Sequence, residues 1–354
     1  MRELLFLAPF PNERYKMDGM ISRIKTIDGH FKAQQRTYLY VSLLKNRKKY
    51  YEAFENVEVF ELNLFLHFFL IIRVLFSAKK IYSHSIYQIR HIWFMIPFYQ
   101  GHIYLDAHGV VPEEIKYFEG SELKFRFMNM VEAILFKKEK LTVICVTNAM
   151  KKHFTQKYPN FNGSFLIYSI FPENLFQEME AGIPAADKVT ILYSGGNAGW
   201  QNIPLMLEVI KASKGNHFKY IILSSDLDYF KAEVAKLGLA HEDITINRVH
   251  PSELGAYYAK ADYGFILRDD NVVNTVANPT KLVEYLSYGI IPVVLTPNIG
   301  DYLENGYEYI LYTSINKSLK KPLGKNLKNI SIAQKLIKDN AAISLAALVL
   351  NTDK

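Results

Sequence analysis

Gly264-Phe-Ile-Leu-Arg-Asp-Asp270 opens the stretch 264–296. After a polar run it continues Asn278-Pro-Thr-Lys-Leu-Val-Glu-Tyr-Leu-Ser-Tyr-Gly-Ile-Ile-Pro-Val-Val-Leu295. The order reads as strand, loop, helix, strand. Tyr263–Leu267 is a short apolar run that ends at charged Arg268. Pro279 supplies a fixed φ at a helix start, where its missing N–H costs nothing. Leu282, Val283, Leu286 and Tyr288 keep one apolar helical face, and Gly289 stops the helix. Ile290–Leu295 has the pattern of a buried strand.

The chemistry of this unit is anionic. Arg268 stands at the C-terminal end of a strand, the side on which open α/β sheets bind ligands. A helix start offers unpaired N–H groups and the positive end of the helix dipole. Lys281 falls in the first turn, where a cation is unfavourable against that dipole. Two cations at one helix start make sense with an anion between them. Glu284, one turn on, is placed to accept hydrogen bonds from a ribose. Taken singly, Arg268 and Lys281 read as solvated side chains on an ordinary amphipathic helix; taken together they read as a phosphate site.

Working outward, strand patterns recur at Leu4–Ala8, Tyr38–Leu44, Val57–Leu62, Lys80–Ser83, His102–Asp106, Thr142–Thr147 and Phe165–Tyr168. Helical patterns lie between several of them, near 20–31, 64–78, 121–138 and 148–157. This alternation predicts a parallel sheet covered on both faces. A second set follows: strands Val189–Tyr193, Tyr220–Leu223 and Ile244–Val249, helices near 226–237 and 252–259, then the opening stretch. A last helix is expected near 331–349. A length of 354 residues fits about two domains. The expected division is an N-terminal domain over 1–175, a C-terminal domain over 186–330, and a helix in 331–354 that packs back across both. Residues 174–188 read as the linker.

Loops at strand C-termini carry the other candidates. Pro9–Met20 precedes a helix bearing Ser22 and Arg23, and Gly19 there permits close backbone approach to a ligand. Tyr82-Ser-His-Ser-Ile-Tyr87 contains His84, as readily a structural histidine as a ligand contact. Asp106-Ala-His-Gly109 follows a strand, and Pro112-Glu-Glu114 then begins a helix. Ser194-Gly-Gly-Asn-Ala-Gly199 is a loop whose amides can approach a phosphate. It is neither a Walker loop nor a dinucleotide fingerprint. A serine hydrolase lacks its elbow here, and zinc lacks a Cys/His set with ligand spacing. The lone Cys145 lies in a strand-like run, reads as core, and fits a reducing compartment.

Charge is uneven. Residues 1–100 hold 15 Lys and Arg against 8 Asp and Glu, whereas the remaining residues are balanced. The cluster Lys45-Asn-Arg-Lys-Lys49 contributes, either as a solvated loop or toward an anionic surface. The start, Met1 to Pro9, reads as a first strand and not a signal peptide. The apolar run Leu62–Phe76 is interrupted by His67 and Arg73 and is short of the ~20 residues needed to span a bilayer. It reads as a buried helix or one lying in the membrane interface.

Arg268, Asn278-Pro279-Thr280-Lys281, Glu284-Tyr285, Gly289 and Pro292-Val293 together resemble the donor site of GT-B glycosyltransferases, particularly family 4. The resemblance implies an α/β protein of two Rossmann-like domains facing across a cleft. It implies transfer of a sugar, hexosyltransferase type, from a nucleotide diphosphate sugar to an acceptor hydroxyl, with retention and without a metal or other cofactor. Arg268 and Lys281 would hold the diphosphate with the backbone at 279–280, and Glu284 the ribose. His108 would contact the donor sugar. Gly19, Gly195, Gly196 and Asn278 would lie about the donor, and Arg248 and His250 near its base. Many members carry a second Glu eight residues before the ribose Glu; that position is Val276. Many also place an Arg and a Lys in the opening loop, where this chain has Trp200 and Gln201.

The expected setting is bacterial surface polysaccharide or glycoconjugate assembly in the cytoplasm, peripheral on the inner face of the membrane, with a sugar or lipid-linked acceptor. Nucleic acid is not an expected partner. The alternatives are a nucleotide-sugar epimerase of the same fold and a non-catalytic nucleotide-sugar-binding subunit.

Overall fold

The structure, a computed structural model, describes residues 2–15, 19–172, 175, 188–213, 217–239 and 243–351. The chain forms two compact units, Met1–Ile170 with Ala342–Lys354, and Phe171–Ala341. Of the expected linker 174–188, only Leu175 and Lys188 are among the described residues.

The first unit is built on eight strands: β1 (Arg2–Leu7), β2 (Arg36–Ser42), β3 (Tyr50–Phe54), β4 (Val57–Asn63), β5 (Ala78–His84), β6 (His102–Ala107), β7 (Leu141–Cys145) and β8 (Ser164–Ile167). Their order is β3-β4-β2-β1-β5-β6-β7-β8, parallel except where β3 meets β4. Helices α1 (Gly19–Gly29), α2 (Phe68–Phe76), α3 (Val111–Glu114), α4 (Glu122–Leu135) and α5 (Asn148–Lys157) lie between them. Leu4, Phe6 and Ala8 point to one face with Tyr38, Tyr82 and Tyr104, while Leu5 and Leu7 are buried on the other. Burial on both faces is what a parallel sheet requires. The seven patterns read as strands are strands, with shifted ends. β3 was not expected, because as an antiparallel edge strand it is largely exposed and has no apolar run. Two short 3-10 helices, Ile86–Gln88 and Trp93–Phe98, follow β5.

The second unit holds β9 (Val189–Ser194), β10 (Phe218–Leu223), β11 (Ile244–Asn247), β12 (Tyr263–Ile266), β13 (Ile291–Val294) and β14 (Ile310–Leu311), in the order β11-β10-β9-β12-β13-β14, all parallel. Its helices are α6 (Ile203–Ala212), α7 (Leu227–Lys236), α8 (Leu254–Lys260), α9 (Val272–Thr275), α10 (Thr280–Ser287) and α11 (Leu327–Ala341). Ile191, Tyr193 and Phe265 fill one core, and Leu192, Ile266, Leu282 and Tyr285 the opposite one. The alternation along β9 is that of a strand covered on both sides. A Cβ at Gly264 would sit 2.5 Å from the Tyr285 ring, so glycine is what lets α10 close onto β12. Gly289, at φ +65°, ends that helix in the left-handed conformation.

A single helix near 331–349 is not what forms. The chain breaks after α11 and makes a separate α12 (Leu345–Leu350), which belongs to the first unit. Ser344 caps it, and Leu345 and Val349 enter the first unit's core. Lys80, 1% exposed, donates from Nζ to the Leu350 carbonyl at 2.6 Å, and Tyr104 donates to the Val349 carbonyl at 3.2 Å. A cation at a helix C-terminus meets the negative end of its dipole.

Lys80→Ala is expected to loosen α12. Losing a charge-assisted hydrogen bond costs roughly 1.5–3 kcal/mol. Hydrogen exchange of the 345–350 amides should speed up tenfold or more (about 1.4 kcal/mol per decade) while that of 280–287 is unchanged. Equal protection in both proteins would show that Lys80 does not hold the helix.

Candidate functional site

In the second sheet β9, β10 and β11 build outward in one direction, and β12 then returns to the free side of β9. The loops after β9 and β12 therefore diverge at their C-terminal ends, where open α/β sheets bind ligands. Those loops are Gly195–Asn202 and Leu267–Pro279. Asn202 Nδ2 joins them by donating to Asp269 Oδ1 at 3.1 Å.

Arg268 emerges at this point. Among the described residues no carboxylate pairs with it; the one hydrogen bond of its side chain goes from Nη1 to Asn274 Oδ1 at 3.3 Å. Burial pushes its guanidinium down to about 10, and only the phenols of Tyr193 and Tyr302 act to raise it. It remains charged at neutral pH. Tyr193 donates to the Gly196 carbonyl, and Tyr302 donates to Asn278 Oδ1. The two phenols that act on Arg268 are thus bonded to the glycine loop and to the approach to α10. Within the polar run, Val272–Thr275 forms the short helix α9. Asn271 caps it, and Asn274, fully buried, holds the Asp269 carbonyl at 3.0 Å while presenting its oxygen to Arg268. Asn274 was not read as a site residue, although Asn271 three positions earlier is a usable cap signal.

At the start of α10, Pro279 makes no side-chain cap. Pro279 has no N–H to offer, so the donors expected at 279–280 begin at Thr280 and continue at Lys281. Lys281 does not stand free: its Nζ donates to Glu284 Oε2 at 2.8 Å and lies 3.4 Å from the Tyr258 hydroxyl. Tyr258 is 2.5 Å from Glu284 Oε2 and 3.1 Å from Ser194 Oγ. One phenol proton cannot serve both, and the carboxylate is the stronger acceptor, which leaves Ser194 to donate back. Tyr258 is buried on α8 and was missed, because nothing in its local sequence shows that α8 returns to this edge. Val276, the position at which many members of the resembled family carry an acid, is buried.

Arg248 and His250 follow β11 and are exposed. Arg248 donates to the Ser225 carbonyl. His250 caps the short helix at Pro251–Glu253, accepting from Ser252 N–H while Glu253 accepts from the His250 N–H at 2.9 Å. Gly195 lies so close to the Tyr193 hydroxyl that a Cβ would be 2.9 Å from it.

The first sheet reverses in the same way, between β1 and β5. Gly19 opens α1 beyond the β1 loop, with open space about its Cα; residues 16–18 of that loop lie outside the described set. From α1, Arg23 reaches Asp106 at the end of β6 with two bonds, 2.9 and 2.5 Å, and both groups are buried. Burial acts to raise the Asp106 carboxyl, but Arg23 and His84 hold it well below the usual range. His84 Nδ1 is 3.3 Å from Asp106 Oδ2, close but poorly aligned for a hydrogen bond. His108 Nδ1 is buried with no partner among the described residues. Burial pushes His108 down to about 4, against the pull of Asp106, and lowers His84 too. His108 is therefore a neutral imidazole at pH 7 with an open hydrogen-bonding nitrogen, which suits a hydroxyl ligand.

No family model matches the sequence, and no curated protein sequence matches it significantly. Solved structures do match over the whole chain. A sucrose-phosphate synthase from Thermosynechococcus elongatus has a TM-score of 0.61 at 13% identity, covering 100% of this chain and 93% of that one. An α,α-trehalose-phosphate synthase (UDP-forming) from Burkholderia xenovorans, in complex with glucose-6-phosphate, has 0.62 at 11%, covering 100% and 99%. HepE of Anabaena, in complex with UDP and glucose, has 0.61 at 15%, covering 100% and 98%. The fold is GT-B.

Two outcomes are expected. Tyr258→Phe removes the hydroxyl that bonds Glu284 and Ser194 and should lower stability by about 1 kcal/mol, read as an earlier urea midpoint with an unchanged circular dichroism spectrum; an unshifted midpoint would show that the phenol holds nothing. The second concerns acid. His108 has a folded value of about 4 and an ordinary value of 6.5, so the unfolded chain takes up the proton first. Stability is complete above 6.5 and is lost as pH falls toward 4, by up to about 3 kcal/mol. Urea midpoints at pH 7 and 4.5 should differ, and His108→Asn should narrow the gap.

Proposed function

We propose that this chain is a glycosyltransferase of the family 4 type that moves a sugar from a nucleotide diphosphate sugar to an acceptor hydroxyl with retention. The observation that carries the reading is Arg268, a partly buried cation at the switch point with no carboxylate partner among the described residues. A desolvated charge without a counter-ion is costly, and a ligand phosphate offsets that cost. The N–H groups at the start of α10 and of Gly196 in the glycine loop favour the same anion, whereas the Gly195 N–H is taken by the Leu223 carbonyl at 3.0 Å. The GT-B neighbours that hold UDP are consistent with a nucleotide diphosphate.

In the proposed reaction the bond from the anomeric carbon to the diphosphate oxygen breaks and the acceptor oxygen takes its place. The acceptor proton leaves on the diphosphate. Arg268 and Lys281 stabilise the charge that develops on that leaving group. Glu284, oriented by Tyr258, holds the ribose, and Lys281 is shared between Glu284 and the phosphate. His108 meets a donor sugar hydroxyl. With Val276 in place of an acid, that contact to the sugar has to come from elsewhere. No metal or other cofactor is needed. The proposed setting is surface polysaccharide or glycoconjugate assembly in the cytoplasm, with a sugar or lipid-linked acceptor.

Hydrolysis of a panel of UDP-, GDP- and ADP-sugars identifies the donor and tests the reading. Arg268→Ala and Lys281→Ala should each lower affinity for the cognate nucleoside diphosphate about ten- to a hundredfold, the loss of one charge-assisted hydrogen bond. Glu284→Gln should impair nucleotide binding while sparing inorganic diphosphate. Unchanged affinity in both cation variants overturns the site.

A further inference from the structure

Four large apolar side chains of the first unit stand in solvent where two segments meet. Leu44 is 83% exposed, Phe65 73%, Leu66 63% and Phe69 84%. Their exposure is not that of a frayed loop, because one buried amide holds both segments. Asn63, 4% exposed, donates from Nδ2 to the carbonyls of Leu43 at 2.8 Å and Lys45 at 3.0 Å. Its Oδ1 accepts from the N–H groups of Phe65 at 3.0 Å and Leu66 at 3.2 Å. α2 follows directly with Ile71, Val74 and Leu75 buried, which leaves Phe69 facing outward.

The same turn carries Lys45, Arg47, Lys48 and Lys49, all exposed, with Asn46 in the left-handed conformation at φ +56°. Among the described residues none of these four cations has a carboxylate partner, and Lys49 lies over the Tyr51 ring at 5.3 Å. Apolar groups displayed together on a surface mark an interaction site. Lysine is depleted from protein–protein interface cores, whereas apolar side chains beside unpaired cations match the boundary of an anionic bilayer, acyl chains below and phosphates above. Among the described residues no helix is long and apolar enough to cross a membrane, so the contact is a docking and not a span.

We propose that this patch docks the protein onto an anionic lipid bilayer. Leu44, Phe65, Leu66 and Phe69 enter the interface, and the cations of 45–49 meet the headgroup phosphates. The proposal stands apart from the donor-site reading, since none of these residues belongs to that site.

Flotation of the full chain tests it. At low salt the protein should rise with vesicles of phosphatidylcholine containing phosphatidylglycerol, and not with phosphatidylcholine alone. Phe65→Ser with Phe69→Ser should reduce the bound fraction roughly tenfold, as loss of two buried anchors implies, and so should combined charge reversal at Arg47, Lys48 and Lys49. Near-ultraviolet circular dichroism checks that both variants keep the wild-type fold. Three results overturn the proposal: a wild-type protein that stays at the bottom with anionic vesicles, an aromatic variant that floats like the wild type, or a wild-type dimer that Phe69→Ser converts to monomer.

Discussion

A parallel sheet cannot be joined by hairpins. Each strand has to be reached by a crossover, and every strand C-terminus then lies along one edge. Both units are governed by this constraint, apart from the antiparallel β3–β4 hairpin at the edge of the first sheet. In the second it brings the loops after β9 and β12 and the start of α10 to one edge, so that Asn202 reaches Asp269 across 67 positions and Tyr302 reaches Asn278 across 24. In the first it does the same for α1, β5 and the loop after β6, which is how Arg23 comes to meet Asp106 across 83 positions. The reversal of strand order then opens space at one place on each edge.

Desolvation separates Arg268 from Lys281, the two cations of the candidate site. Lys281 has a carboxylate at 2.8 Å on its own helix and a phenol beyond it, so its charge is balanced without ligand. Arg268 has only an amide oxygen, and its burial is uncompensated. A native fold tolerates such a group where another interaction repays it, and for a guanidinium that interaction is bidentate contact with a planar or tetrahedral anion. Asn274 holds the group in place without neutralising it, which a carboxylate at the same position would not do.

In the first unit the buried charge is settled internally. Asp106 and Arg23 are a paired anion and cation, and removing either leaves the other stranded, at a cost of about 3–5 kcal/mol. The pair ties α1 to the end of β6 and so fixes the loop that carries His108. Two residues beyond the satisfied carboxylate lies an imidazole nitrogen with no partner among the described residues. Rigid support under an unsatisfied group is how a fold presents a contact to a ligand instead of collapsing onto it.

Local sequence determined the parallel α/β class, seven strands of the first sheet, the strand–helix–strand unit around Arg268, and the helix start at Pro279. Apolar periodicity, Pro279 and Gly289 report interactions within a few residues, and these survive in the folded chain. Where the pattern had no apolar run, as in β3, or a polar one, as in α9, the element was not legible. The Lys281–Glu284 pair is an i,i+3 contact that helical spacing already allows, whereas the clamp from Asn274, the phenol of Tyr258 and the Arg23–Asp106 pair were decided only by tertiary structure. Each joins groups whose approach depends on how crossovers and helix caps turn the chain, and no local spacing encodes that. The break between α11 and α12 has the same origin: the core about Leu345 and Val349 and the ammonium of Lys80 hold the last turns in the first unit, against a continuous helical pattern.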